Sequence, residues 1–277
     1  MTYKTIMVHM TAGGANRPRI AIAKHLADRL DARLIGIAAS EFSPPLYFAD
    51  GEAGQKMISE GEDAIKASLS QLENEFYRDI DRTTLPCEWR CSRQLPTQYI
   101  ANEARAADLI VTGRSNSIVF SDAFASADSS DLVMETGRPL LVVPEALSWL
   151  DVRSSVVAWK DSAEARRAIV DALPLLKLSK DIAVVGIIEG EAIPKDVAER
   201  QIRDVIGWLG RHDITASPVV VDAQGQPGEQ LEQIAADLGA GLIVAGAYGH
   251  SRLREWVFGG VTRYLLQSSE RCVLLSR

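Results

Sequence analysis

The chain has 277 residues, of which 47% are hydrophobic and 24% are charged, and its net charge is −7. Proteins that bind nucleic acids or anionic membrane surfaces usually carry a basic excess, so this acidic balance argues against both kinds of partner. No apolar run approaches the roughly 20 residues that a membrane-spanning helix needs. Three cysteines are too few, and odd in number, for a disulfide framework, which favours a reducing cytoplasm.

The N-terminal half begins with the strand-like stretch TIMVHM at residues 5–10, which we interpret as a first strand rather than part of a signal peptide. Apolar residues then recur at helical spacing up to Leu30. RLIGIAA at 33–39 is a near-continuous apolar run, typical of a strand buried on both faces of a parallel sheet. A surface loop is predicted at 43–54, and a second amphipathic helix is predicted from Ile58 to Phe76.

The same pattern occurs twice along the chain. ADLIVTGRSN at 107–116 matches AGLIVAGAYG at 240–249, and GRPLLVV at 137–143 matches ERCVLLS at 270–276, both at an offset of 240 − 107 = 133 residues. Each half therefore alternates strands and helices, which predicts an α/β fold of two repeated domains. Each domain is expected to be a five-stranded parallel sheet with helices on both faces. We place the domains at 1–146 and 147–277.

Both halves end in an apolar strand, PLLVVP in the first and CVLLSR in the second. An unpaired apolar edge strand invites aggregation, so we expect each of these strands to have a partner strand. Association of two whole chains into a homodimer stays open at this stage.

Four glycines stand in the stretch GAYGHSRLREWVFGGVT, residues 246–262, directly after the apolar run LIVA. In open α/β sheets ligands bind beyond the carboxyl ends of the strands. Gly246 and Gly249 permit a tight turn and close backbone approach. Gly259 and Gly260 precede a predicted helix whose first N–H groups favour an anion, and Thr262 adds a hydroxyl. The alternative is that the glycines only turn the chain, because the pattern is neither GxGxxG nor a P-loop.

The spacing Gly246-x-x-Gly249, nine residues, then Gly259 resembles the glycine signature of the universal stress protein family. The whole chain resembles the tandem form of that family. In that family the last strand pairs across a dimer interface, so the resemblance implies that PLLVVP and CVLLSR pair within one chain as an internal pseudo-dimer. This resemblance implies an adenine-nucleotide α-hydrolase-like fold and a site in the second half for ATP or another adenine nucleotide, with Mg²⁺ as an optional companion. The residues assigned to that site are Trp159, Lys160, Asp161, Ile187, Ala245, Gly246, Gly249, His250, Arg252, Gly259, Gly260, Val261 and Thr262.

Several positions depart from the family pattern. Gly260 stands where ATP-binding members have serine or threonine, and Lys160 stands where they have an aspartate, with Asp161 one residue later. Trp159 and Ile187 either form an apolar slot for adenine or pack in the core. At the 133-residue offset the first half loses three of its glycines, so we expect no nucleotide there. The replacements are Asn116, Ser126 and Ala127.

The sequence favours a regulator over an enzyme. His250 is the only histidine at the predicted site, and no GxSxG elbow or dedicated nucleophile accompanies it, which leaves only slow ATP hydrolysis open. The first interpretation is a stress-response regulator or sensor that binds ATP in its C-terminal domain. The second is an interaction scaffold that has lost its nucleotide. A nucleotidyl transferase would need further lysine or histidine motifs, which the chain lacks.

Overall fold

A computed structural model describes residues 2–43, 51–78, 80–114, 122–190, 194–248 and 260–277. The elements of the first half are β1 (Thr5–His9), α1 (Asn16–Leu30), β2 (Arg33–Ala39), α2 (Glu52–Arg78), β3 (Cys87–Ser92), α3 (Pro96–Glu103), a 3₁₀ turn (Ala104–Ala106), β4 (Leu109–Gly113), α4 (Ser129–Glu135) and β5 (Leu140–Val143). Those of the second half are β6 (Ser154–Ala158), α5 (Ala163–Leu176), β7 (Asp181–Ile188), α6 (Lys195–Gly210), β8 (Ser217–Asp222), α7 (Pro227–Asp237), β9 (Leu242–Gly246), α8 (Gly260–Gln267) and β10 (Cys272–Ser276).

All ten strands of the described residues join one sheet in the order β3-β2-β1-β4-β5-β10-β9-β6-β7-β8. Neighbouring strands within each half run parallel. The exception lies at the centre, where β5 and β10 pair antiparallel and Leu141 faces Leu274. The last strands of the two halves therefore pair within one chain, which confirms the predicted internal pseudo-dimer. The predicted domain limit, between residues 146 and 147, falls between β5 and β6 and stays a prediction.

Helices cover both faces of this sheet, which is why its inner strands are apolar along their whole length. One layer contains α1, α2, α5 and α6, with fully buried side chains such as Ile20, Phe76 and Leu209. The other layer contains α3, α4, α7 and α8, with Ile100 and Leu265 in its core. Both cores are continuous between the halves.

Two helix limits differ from the sequence prediction. The sequence predicts that Pro174 ends the helical pattern of α5, because proline cannot continue a helix. The helix instead continues to Leu176, because a proline in the last turn removes only one backbone hydrogen bond and Leu175 and Leu176 are fully buried. The start of α2 lies at Glu52, inside the segment predicted as a loop. Ile58, expected in the buried stripe of α2, is instead exposed, so the first turns of this helix project beyond the core.

Candidate nucleotide-binding site

The predicted site lies where β6 and β9 end and where α5 and α8 begin. Gly249, His250, Arg252 and Gly259 fall outside the described residues. The geometry of the site is therefore given by the residues around them, which come from β6, β7, β9 and the first turn of α8.

Gly246 ends β9, and the first turn of α5 lies directly against it. A Cβ at this position would stand 2.6 Å from the backbone N of Ala165 and 2.7 Å from the carbonyl carbon of Glu164. The close backbone approach that the sequence predicted is therefore real, but the partner that approaches is helix α5. Ala245, one residue earlier, is buried in the opposite core layer with α7 and α8.

Gly260 is the first residue of α8 and is exposed. Apart from its chain neighbours and the backbone of its own helix, no heavy atom of the described residues lies within 4 Å of where its Cβ would be. The free N–H groups of the first helical turn carry a partial positive charge, so this opening suits an anion. Val261 is half-buried against the α7–α8 core layer.

Thr262 has a structural partner. Its side chain is buried, and its Oγ1 accepts a hydrogen bond from the backbone N–H of Tyr248 at 3.4 Å. Tyr248 itself adopts a φ of 53°, which turns the chain sharply after β9. The hydroxyl predicted as a phosphate contact thus ties the end of β9 to α8.

The structure does not bring Trp159 and Ile187 together in one slot. Trp159, directly after β6, packs against the α5–α6 core layer, whereas Ile187 in β7 packs against the α7–α8 layer on the other face of the sheet. Each residue can border a ligand at the sheet edge, but the two cannot form opposite walls of a single base pocket.

Trp159 instead lines a cavity of about 440 Å³ between α5 and α6. This volume is within the range of small-molecule pockets, and Trp208 supplies a second aromatic wall. Sequence analysis did not single out Trp208. The available signal was that Trp208 is an aromatic residue on an amphipathic helix. The other lining residues are Asp161, Arg166, Ile169, Val170, Gln201, Asp204 and Val205.

Lys160 and Asp161 are both exposed beyond the end of β6. Asp161 forms an ion pair with Arg166, which is one turn into α5, while Ser162 caps the same helix by accepting a hydrogen bond from the N–H of Ala165 at 3.2 Å. An exposed ion pair of this kind contributes about 0–1 kcal/mol. The carboxylate of Asp161 can therefore exchange Arg166 for another hydrogen-bond donor at little cost.

The described residues contain no group of three or more His, Cys, Asp or Glu side chains that could hold a metal ion. No protein-only Mg²⁺ site is therefore assigned within them.

Two alanine substitutions should separate the roles of the glycines. Gly246→Ala forces a Cβ against the backbone of α5, and we expect a loss of about 1–3 kcal/mol in the free energy of unfolding. Gly260→Ala enters open space at a helix start, and we expect a change of at most about 1 kcal/mol, towards higher stability. Urea unfolding followed by circular dichroism measures both values. Equal stability of the two variants would contradict the packing of α5 on Gly246.

Comparison with known proteins agrees with this architecture. A sequence model of the Universal stress protein family matches residues 156–277. A universal stress protein from Archaeoglobus fulgidus has a similar structure, with a TM-score of 0.72 and 13% identity over 99% of this chain and 96% of that one. A functionally unknown protein from Pseudomonas aeruginosa is similar with a TM-score of 0.59 and 13% identity, over 99% and 92% of the two chains.

A universal stress protein in complex with cAMP covers 52% of this chain and 98% of its own, with 20% identity and a TM-score of 0.37. No curated protein sequence matches the chain. Among the described residues no helix is long and apolar enough to cross a membrane.

The continuous ten-stranded sheet defines a duplicated α/β protein whose candidate ligand site lies at the carboxyl ends of the strands. The family match then identifies the second half, residues 156–277, as a member of the universal stress protein family. This confirms the family resemblance that the glycine spacing indicated. The whole-chain structural likeness, at 13% identity, establishes that the first half shares the fold.

Proposed function

We propose that the second half binds an adenine nucleotide, ATP in the first instance, at the carboxyl ends of β6 and β9. The protein then acts as a stress-response sensor or regulator rather than as an efficient enzyme. The observation that carries this proposal is the exposed start of α8 at Gly260, which no side chain of the described residues obstructs, in the half that matches the family. Gly249, His250, Arg252 and Gly259 extend the proposed site outside the described residues.

The described residues supply complementary chemistry for such a ligand. The N–H groups at the start of α8 would receive a phosphate, and the ammonium group of Lys160 would offset its charge. Asp161, on leaving Arg166, would accept a hydrogen bond from a ribose hydroxyl. Ile187 and Val261 pack against the same core layer and offer an apolar edge for the base. Mg²⁺ would arrive with the phosphates, and no protein ligand is proposed for it.

A second candidate function is a nucleotide-free interaction scaffold. Three observations favour it: Asp161 is already paired with Arg166, the hydroxyl of Thr262 is already bonded to Tyr248, and Gly246 is already covered by α5. If this alternative is right, the purified protein will carry no nucleotide and will release none on denaturation. Stoichiometric nucleotide in the supernatant would exclude it.

A calorimetric titration with ATP tests the proposal. We expect one ATP per chain, and a loss of roughly tenfold or more in affinity for Gly260→Asp, because the new carboxylate repels the phosphates. The fold should survive this change, since the position is open and a helix start tolerates an acidic residue. Gly207→Asp is the matched control: it adds the same charge at an exposed, unobstructed glycine in α6 and should leave ATP affinity unchanged.

Absence of binding heat at about 1 mM ATP, with a folded protein, would remove the proposal. Equal loss of affinity in both aspartate variants would assign the effect to net charge instead of to the start of α8.

We further place the protein in the cytoplasm, because Cys87, Cys91 and Cys272 are all free thiols. A homodimer of the whole chain stays part of the proposal, and sedimentation equilibrium measures it.

A further inference from the structure

The first half contains a buried arginine, Arg19, whereas the arginine at the corresponding helix position of the second half is exposed. Arg19, the fourth residue of α1, is only 6% exposed and lies at the carboxyl ends of β1 and β4. Burial lowers its pKa to about 10, while the charges of Glu145 and Glu75 act in the opposite direction. The guanidinium therefore remains protonated at neutral pH.

The hydrogen-bond partners of Arg19 carry no charge, and the carboxylates of Glu145 and Glu75 act on the guanidinium without contacting it. Its Nη1 donates to the carbonyl of His9 and to Thr11 Oγ1, both at 3.3 Å, and reaches Asn16 Oδ1 at 3.5 Å. All three contacts are long, all three acceptors are neutral, and within the described part of the chain Arg19 forms no salt bridge. Since a buried charge is costly unless it is paired, an arginine retained in this state calls for an anion.

Gly113 makes room for the guanidinium. A Cβ at this position would lie 2.4 Å from Arg19 Nη2, so only glycine admits the side chain here. Gly113 ends β4 and corresponds to Gly246 at the 133-residue offset, where the backbone of α5 takes up the space instead. Gly113 is the one signature glycine that the first half keeps at this offset, and the space beside it holds a buried cation.

A cavity of about 60 Å³ opens beside Arg19. At about 30 Å³ for each water in the liquid, this space suits a small inorganic oxyanion and is far too small for a nucleotide. The lining residues are His9, Thr11, Arg19, Thr112, Gly113, Arg114, Ser126, Ala127, Asp128 and Ser129. The arginines contribute +2 and Asp128 contributes −1, which gives 2 − 1 = +1. The carboxylate of Asp128 also caps α4 by accepting from the N–H of Ser130 at 2.7 Å.

His9 supplies an unpartnered polar atom in the wall of this cavity. It is 2% exposed, its Nδ1 lies 3.0 Å from Thr112 Oγ1, and its Nε2 has no hydrogen-bond partner among the described residues. Burial, with a smaller effect from the charge of Arg19, lowers the pKa of His9 to about 3, so the ring is neutral. The neutral ring carries one hydrogen, and the proposed site uses the tautomer in which the Thr112 hydroxyl donates to Nδ1 and Nε2 is the buried donor.

The second half provides an internal comparison. Arg166 is the fourth residue of α5, as Arg19 is of α1, but its side chain is 59% exposed and paired with Asp161. The burial of Arg19 is therefore particular to the first half and does not follow from the fold.

We propose that the first half contains a binding site for a small tetrahedral oxyanion, inorganic phosphate or its isostere, held by the guanidinium of Arg19 and the ring of His9. This site is separate from the nucleotide site proposed for the second half and does not depend on it.

The test is titration of the full chain with inorganic phosphate, followed by calorimetry and by the ¹⁵N shift of the His9 ring. We expect one phosphate per chain and a change in the His9 Nε2 signal. Arg19→Gln should lower the affinity roughly tenfold or more, because a charge-assisted hydrogen bond is lost. Gly113→Ala should do the same, since its Cβ displaces only the tip of a flexible side chain and the fold is retained. Arg166→Gln, the matched control, should bind phosphate as the wild type does.

Four outcomes would overturn the proposal. The first is undiminished phosphate binding in both Arg19→Gln and Gly113→Ala, and the second is no binding of phosphate at about 10 mM. The third is a preference for acetate over phosphate, which would contradict the tetrahedral ligand. The fourth is displacement of phosphate by saturating ATP, which would mean that phosphate occupies the nucleotide site. If ATP fails to bind while phosphate binds with the expected variant pattern, only the nucleotide proposal fails.

Discussion

Leu274→Asp is expected to unfold the chain or to leave it close to unfolding. Leu274 is fully buried in β10, between Leu141 of β5 and Val244 of β9, at the central seam of the sheet. The substitution removes about 2–3 kcal/mol of leucine burial and adds a buried, unpaired carboxylate that costs several kcal/mol more. Domains of this kind have a total stability of about 5–15 kcal/mol, so the sum is comparable to the whole.

Urea unfolding followed by circular dichroism measures the effect. Leu238→Asp is the matched control, because it makes the same exchange at a leucine that is 43% exposed, and we expect a change of at most about 1 kcal/mol there. A Leu274→Asp protein with the wild-type urea midpoint would show that the antiparallel seam does not hold the two halves together.

The seam could be predicted because both last strands are apolar and stand at one fixed offset from the preceding strands. The family resemblance then supplied the geometry, since the repeat alone does not say which strands are neighbours. Helix ends were less predictable, as Pro174 in α5 illustrates. A helix limit depends on what the last turn buries, and that information comes from other parts of the chain.

The described residues of the candidate site lie at the carboxyl edge of the sheet, where the sequence places them, and their binding of a nucleotide stays a prediction. Their contact partners within the fold were not predictable. The glycine spacing indicates that some backbone approaches Gly246; it does not indicate that the approaching group is α5. Likewise, the sequence shows that Thr262 has a hydroxyl group, but only the fold shows that this hydroxyl accepts a hydrogen bond from the backbone of Tyr248. Both contacts depend on how helices from distant segments are placed on the sheet, so local pattern carries no signal for them.

Arg19 illustrates the same limit in the first half. In the sequence it is one of several arginines on an amphipathic helix, where a solvated position is the ordinary expectation. Its burial becomes visible only when Gly113 and His9, from two different strands, are placed beside it. The available signal was Gly113, a glycine that the first half keeps although the other glycines of the signature are replaced there. Because glycine has no Cβ, it leaves space for a neighbouring side chain.

Glu232 in α7 is the second position at which we expect a substitution to have a large effect on the free energy of unfolding. It is 8% exposed, and its carboxylate accepts hydrogen bonds from Ser269 Oγ at 2.8 Å and from the N–H of Glu270 at 3.2 Å. Arg271 at the start of β10 adds an ion pair at 2.5 Å and donates from Nε to the carbonyl of Ala240 at 2.8 Å. One carboxylate thus joins α7 to the turn between α8 and the seam strand.

Glu232→Ala should therefore lower the free energy of unfolding by about 3–5 kcal/mol, because it leaves the guanidinium of Arg271 largely buried without its partner. Removing both partners should cost less than the sum of the single changes, so a double-mutant cycle with Arg271→Ala should give a coupling free energy of about 1–3 kcal/mol. Glu270→Ala is the control, since that side chain is exposed, and its unfolding midpoint should match the wild type. Additive single-mutant effects would mean that Glu232 and Arg271 stabilise the turn independently, and the stability of the seam would then rest on apolar packing alone.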